Sequence, residues 1–143
     1  MIHKMQCIRA AYSAGRSTRM KEIKTDRAPE AIGPYSQAIE AAGTVYISGQ
    51  IPINPATGVI EEAGIEGQTR QSLENIGGIL KAAGLGYENV VKTTVLLNDI
   101  NDFSAMNAVY AGFFTEPYPA RAAFEAAAIP KGALVEIEAI AVR

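Results

Sequence analysis

Two stretches of this chain carry a 3.6-residue hydrophobic period, and a single β-branched run separates them. In the first, Leu73, Ile76, Ile79, Leu80 and Ala83 recur at three- and four-residue steps, and Gly84 stands where a helix takes its left-handed C-terminal residue. The spacing predicts a helix over about Glu66 to Ala83. In the second, Phe103, Met106, Val109, Tyr110 and Phe113 share a face, with Asn101 or Asp102 placed as N-cap and Pro117 closing the segment. The run between them, VVKTTVLL over Val90 to Leu97, is a strand bounded by Asn89 and Asn98-Asp99. Three strands are expected before the first helix: Lys21 to Thr25, Ser36 to Ala41 and Thr44 to Gln50, the last two joined by a short hairpin at Ala42-Gly43. Two follow the second helix, Ala120 to Ala126 and Leu134 to Val142, around the Ile129-Pro130-Lys131-Gly132 turn. The order βββαβαββ, with helices set off by single strands, predicts an α+β fold with a mixed sheet.

At 143 residues the chain has the length of one domain and buries enough surface to need neither disulfide nor structural metal. Its single Cys7 has no partner, and His3 and Cys7 are the only His and Cys ligands available, so neither an intrachain disulfide nor a His/Cys metal site is expected. A His-dependent triad is excluded on the same count unless His3 reaches back from the terminus. The near-neutral net charge of −2 hides an asymmetry. Residues 1–20 hold Lys4, Arg9, Arg16 and Arg19 and no acid, which leaves nine basic and fifteen acidic residues, a net charge of −6, for the remainder. A body so acidic repels nucleic-acid phosphates, and no basic stripe with interleaved aromatics offsets it. No apolar run reaches the ~20 residues of a membrane span. Residues 1–19 therefore read as a basic extension before a domain over 20–143. The extension is expected to be a disordered tail or an upstream start ahead of Met20, with an organellar transit peptide as the functional alternative.

The chemistry left to the body uses Arg, carboxylates, hydroxyls and backbone. Arg121, Ala123 and Glu125 share one face of the fifth strand, with small alanines around the guanidinium that leave room for a ligand. On the last strand Glu136 and Glu138 stand among Leu134, Ile140 and Val142, opposite the Val135, Ile137, Ala139 and Ala141 face. A charge on a half-buried strand needs a partner. One reading is an Arg121–Glu136 ion pair that holds adjacent strands in register. The other is an arginine that grips a planar carboxylate through two parallel hydrogen bonds, with Glu136 free to handle a water. Ser48-Gly49 is either a ligand-facing edge or a bulge, in a strand that sets Val45, Ile47 and Gly49 on one face and Thr44, Tyr46, Ser48 and Gln50 on the other. Tyr35 follows Gly33-Pro34 on an ordered loop, and Asn107 lies beside the apolar stripe of the second helix. Gly84-Leu85-Gly86 is no dinucleotide fingerprint, since it follows a helix and lacks the third glycine.

The stretches IGPYSQA (32–38), YISGQIPINPATG (46–58), RQSLENI (70–76), YPARAAFE (118–125) and VEIEAIA (135–141) closely resemble the RidA (YjgF) family, over about Met20 to Arg143. The resemblance implies a chorismate-mutase-like fold, a mixed six-stranded sheet with two helices packed on one face, assembled as a homotrimer with a barrel-like core and sites between subunits. It implies hydrolysis of 2-imino acids, such as 2-iminobutanoate and 2-iminopropanoate, to 2-oxo acids and ammonia. No cofactor and no metal enter that reaction, which removes reactive products of pyridoxal-phosphate-dependent dehydratases. The implied location is the cytoplasm, or an organellar matrix if residues 1–19 are a transit peptide. By position Arg121 matches the carboxylate-binding arginine and Glu136 the residue that holds the attacking water. Tyr35, Ser48, Gly49, Asn107 and Ala123 match the other substrate-binding positions. Active members often carry Cys where this chain has Ala123, so a thiol is not available there. The competing expectation is a non-catalytic small-carboxylate-binding or stress-linked interaction protein on the same trimer; the acidic body argues against ribonuclease activity.

Overall fold

The structure, a computed structural model, describes residues 19–143. The expectations for the basic extension, with His3 and Cys7, fall on residues 1–18 and lie outside the described residues. The elements run β1 (Lys21–Ile23), β2 (Ala38–Ala41), β3 (Thr44–Gln50), α1 (Ile65–Ala82), β4 (Val90–Leu97), α2 (Phe103–Tyr110), β5 (Ala120–Glu125) and β6 (Val135–Val142). This is the βββαβαββ order expected from the sequence. One six-stranded sheet forms in the order β1-β2-β3-β6-β4-β5, with β4 and β5 parallel and every other neighbouring pair antiparallel.

Both helices pack on the same face of this sheet. Leu73, Ile76, Ile79 and Leu80 of α1, and Met106 and Tyr110 of α2, join Val45, Val95, Leu97, Val135, Ile137 and Ala141 in one buried cluster. Each fully buried Leu or Ile side chain contributes about 1.5–3 kcal/mol relative to exposure, so the face that carries these residues is the one the chain must cover. The other face stays open and holds Tyr46, Glu136, Glu138, Ile140 and Val142.

Local signals set the element ends. α1 stops in a Schellman motif: Leu85 N–H donates to Leu80 O (2.8 Å), Gly84 N–H to Lys81 O (3.0 Å), and Gly84 takes φ +73°. The hairpin turns at Ala42 (φ +51°) and Gly43 (φ +78°), as the two-residue connection requires. Asp102 takes the N-cap position of α2, one of the two expected, but without a capping side-chain bond. A 3₁₀ turn over Ile100–Asp102 precedes α2, and the capping carboxylate is Asp99, which accepts from Asn101 N–H (2.9 Å).

The third strand also departs from strict alternation. Two residues of β3, Ser48 and Gly49, lie between the register pairs Ile47↔Ala139 and Gln50↔Ile137, against one residue of β6. This bulge turns Gln50 inward, where it is 5% exposed and donates from Nε2 to Ser48 O (3.0 Å). Gln50, not Gly49, therefore continues the buried face of Val45 and Ile47.

Buried amides then pin the loops around the bulge. Gln37 Nε2 reaches Thr25 O, Ala28 O and Pro29 O at 3.0, 3.2 and 2.8 Å, and its Oε1 accepts from Thr25 N–H, so the loop leading to Tyr35 is tied to the start of β2. On α1, Asn75 Nδ2 donates to Ile51 O and Ile53 O, which fixes the chain as it leaves β3. Gln68 Oε1 accepts from Leu134 N–H at the threshold of β6.

Candidate functional site

The candidate residues fall into two groups, one on each face of the sheet. Arg121 stands in register with Thr93 of the parallel neighbour β4, and Thr93 is fully buried on the helix-covered face. Glu136 stands opposite Leu96 of β4. Thr93 and Leu96 are three positions apart on one strand, so their partners point to opposite sides. β4 also separates β5 from β6, so the strands of Arg121 and Glu136 are not neighbours. The Arg121–Glu136 ion pair that alternation alone allows does not form: Arg121 Nη1 donates to Asn107, and Glu40 Oε1 pairs with Arg143 Nε at 2.5 Å.

On the helix side Arg121 is held by α2. Its Nη1 donates to Asn107 Oδ1 at 2.6 Å, and its guanidinium carbon lies 5.4 Å from the centre of the Phe103 ring and 4.7 Å from that of Tyr110. The Tyr110 hydroxyl is hydrogen-bonded to Thr93 Oγ1 at 2.7 Å, inside the core. Burial raises the Tyr110 pKa, against smaller opposing effects of that hydrogen bond and of Arg121. A guanidinium has five N–H donors. One is committed to Asn107, and the side chain as a whole is exposed. Ala123, two residues on and on the same side of β5, is in register with Val95 and packs partly against the core.

The second group lies on the open side, at the β3 bulge. Ser48 Oγ donates to Ser36 O (2.6 Å) and Ser48 N–H donates to Gln37 O (3.0 Å), which ties the bulge to the loop that carries Tyr35. Tyr35 itself is half exposed, with its N–H turned onto Gly33 O (2.8 Å). Glu136 lies directly against Gly49: a Cβ built on this glycine would stand 2.9 Å from the Glu136 carboxyl carbon and 3.1 Å from its Cγ. The bulge and the missing side chain together make the recess that accepts this carboxylate. Burial first, and then the charge of Glu138 two residues on, push the Glu136 pKa up from its ordinary 4.5.

The structure thus brings Arg121 together with Asn107, with Ala123 beside them on β5, and groups Ser48, Gly49 and Glu136 beside the Tyr35 loop. It does not bring the two groups together within one chain. In the sequence, Phe103 and Tyr110 stand out only as members of an apolar stripe. Their signal was present, since Phe103, Asn107 and Tyr110 fall at i, i+4 and i+7 on one helix face, with an amide between two aromatics. Among the described residues no group of three or more His, Cys, Asp or Glu side chains is arranged to hold a metal ion, and no helix is long and apolar enough to cross a membrane.

Comparison with known proteins connects these residues to a family. The family model described as Endoribonuclease L-PSP matches residues 25–143. A Capra hircus protein named 2-iminobutanoate/2-iminopropanoate deaminase is 58% identical over 121 residues, which cover 85% of this chain and 88% of that protein. The Homo sapiens protein of the same name is 53% identical over 121 residues, with the same two coverages of 85% and 88%. Among solved structures, the Rid-family protein YyfA of Yersinia pestis aligns with a TM-score of 0.85 at 52% identity, covering 87% of this chain and 100% of that one. Escherichia coli TdcF with bound serine aligns with a TM-score of 0.82 at 48% identity, over 86% of this chain and 98% of that one. A match over nearly the whole described chain, with relatives above half identity and solved Rid structures of the same fold, leaves one assignment: this chain belongs to the Endoribonuclease L-PSP family, the family of the RidA proteins.

Proposed function

We propose that this protein hydrolyses reactive 2-imino acids and their enamine tautomers, with 2-iminobutanoate and 2-iminopropanoate as the substrate class, to 2-oxo acids and ammonia. The observation that carries the reading is the fixed guanidinium of Arg121, held by Asn107 and two aromatic rings with donors left for a planar carboxylate. Relatives at 51–58% identity are named for this activity, and the TdcF neighbour holds serine, an amino acid with the same α-carboxylate.

In the reaction Arg121 binds the substrate carboxylate and sets the imine carbon at a fixed place. Glu136, ionised, accepts a proton from a water as the water oxygen bonds to that carbon. The resulting carbinolamine collapses to the 2-oxo acid. Its nitrogen takes the proton held by Glu136 and leaves as ammonia, while the hydroxyl gives up its own proton to the Glu136 carboxylate as the C=O bond forms. A protonated imine carbon is electrophilic enough that the step needs no metal or cofactor. Tyr35, Ser48 and Gly49 line the water side, while Asn107 and Ala123 line the carboxylate side.

Because Arg121 and Glu136 occupy opposite faces of one chain, the reading requires a second subunit. We take the assembly to be a homotrimer that covers the open sheet face and brings the Arg121 of one subunit to the Glu136 of the next. The role we assign is protection of pyridoxal-phosphate enzymes from the imines that dehydratases release, in the cytoplasm where those substrates form.

The test is to generate 2-iminobutanoate with a dehydratase and follow 2-oxobutanoate formation. Wild type is expected to accelerate it, and Arg121→Ala and Glu136→Gln each to lose at least about 100-fold, the first through lost positioning of the substrate and the second through loss of the acid–base group. A wild type no faster than Arg121→Ala would leave only carboxylate binding.

A further inference from the structure

We propose that Tyr110 is a positioning residue for this reaction, acting through Arg121: its ring backs the guanidinium and its hydroxyl, bonded to Thr93, fixes the ring. The inference rests on the reading of Arg121 as the carboxylate anchor and adds what makes that anchor rigid.

The geometry has three parts. Arg121 sits on β5, the edge strand of the sheet, whose outer side pairs with no strand among the described residues. Its long side chain has the rotamer freedom that a carboxylate clamp must suppress. The restraint comes from one stripe of α2: Asn107 takes one N–H at 2.6 Å, while the Phe103 and Tyr110 rings lie 5.4 and 4.7 Å from the guanidinium carbon. A cation over aromatic faces is attracted by their quadrupoles, and more strongly when partly desolvated.

The two rings are not equivalent. Phe103 is partly buried and has no polar tether, whereas Tyr110 is 6% exposed and its hydroxyl meets Thr93 Oγ1 at 2.7 Å. Thr93 is also the residue in register with Arg121 across the β4–β5 ladder. The hydrogen bond therefore closes a short circuit of Arg121, Tyr110 and Thr93, which fixes the ring relative to the same backbone position that carries the arginine. Phe114 packs against the ring, with centroids 4.6 Å apart. Leucine at position 110 would fill the core and leave the guanidinium with one ring and one amide.

The experiment uses 2-oxobutanoate, a stable α-oxo acid, as the probe, with affinity measured by calorimetry and turnover measured on 2-iminobutanoate. Tyr110→Leu is expected to weaken 2-oxobutanoate binding about tenfold, and to raise KM similarly with kcat changed less than about twofold. Tyr110→Phe keeps the ring and should stay within about threefold of wild type, a rescue that separates the ring from the tether. In an Arg121→Lys background, Tyr110→Leu should cost less than about twofold, because a residue acting through the guanidinium is not additive with its loss. Should Tyr110→Leu fail to fold, Tyr110→Met, whose flexible side chain fills more of the space, carries the same cycle with the same expected loss of about tenfold.

Two results overturn the proposal: a folded Tyr110→Leu that binds as wild type does, or an equal loss in both backgrounds. Failure of the parent reading looks different. A wild type that binds 2-oxobutanoate through Arg121 but does not hydrolyse the imine removes the deaminase and leaves the positioning role supported by the cycle. A wild type that binds no 2-oxobutanoate overturns both.

Discussion

Glu136 shows how much one side chain owes to its surroundings. It is a strand carboxylate in a recess that exists because Gly49 has no Cβ, and burial there raises its pKa, with Glu138 adding to the shift. In its proposed role as base Glu136 must be ionised to take a proton from water, so the fraction of competent enzyme falls as pH drops through that raised value. We expect kcat/KM for imine hydrolysis to show an acid limb with its midpoint above 4.5. Glu138→Gln removes the second cause of the shift and should move that midpoint to lower pH while burial keeps part of the elevation. A pH–rate profile checks this; a midpoint unmoved or raised by the substitution would show that Glu138 does not act on the base. Both carboxylates were visible in the sequence as charges among large apolar residues on one strand face. Their environment was not, because the recess depends on the neighbouring strand, and alternation along β6 says nothing about β3.

At the scale of elements, the helices and strands follow their periods closely, and the departures share one cause. The α1 helix runs over Ile65–Ala82 against an expected Glu66 to Ala83, because its apolar steps and Gly84 are local signals. The bulge at Ser48-Gly49 and the cap at Asp99 depend on what lies opposite or just upstream. A strict period of two puts Gln50 outside; the extra residue at the bulge turns it in, and a buried amide accepts that place because Ser48 O is within reach. The bulge also yields a prediction. In Gly49→Ala the new methyl group would collide with the end of a flexible side chain, so Glu136 can rotate away at little cost to the fold. We expect a stability loss of less than about 1.5 kcal/mol, with activity reduced at least about tenfold by the displaced base. Thermal unfolding beside the deaminase assay checks the pairing. A large stability loss would mean that the recess cannot relax, and full activity would mean that Glu136 does not act from it.

For the whole molecule, the central fact is that one sheet separates the two groups of the proposed site. Its helix side holds Arg121, its open side holds Glu136, and the open side exposes Tyr46, Phe124 and Val142 by 51%, 50% and 37% around the carboxylates. An open face with that mixture suits burial against copies of itself in a closed symmetric assembly. Periodicity could not reveal the division, since it left an Arg121–Glu136 pair on adjacent strands open, and the strand order that rules it out is a property of the topology. The Endoribonuclease L-PSP description of the family finds no support in the charge of the body, which carries a net −6, with nine basic and fifteen acidic residues after position 20. A split site makes a prediction that no single-chain site shares. Arg121→Ala and Glu136→Gln should each be inactive alone, because every site in such a trimer lacks one group. Unfolded together in equal amounts and refolded, the two chains mix at random. A site is then complete when its arginine comes from a Glu136→Gln chain and its glutamate from an Arg121→Ala chain, which occurs at about a quarter of the sites. Activity should therefore recover to about a quarter of the wild-type value after mixing, and not when the two proteins are combined as folded trimers that do not exchange. Sedimentation establishes that the mixed species is a trimer. Recovery near zero in a properly assembled mixture would mean that both groups act from one chain, which requires Arg121 or Glu136 to leave the face on which it now sits.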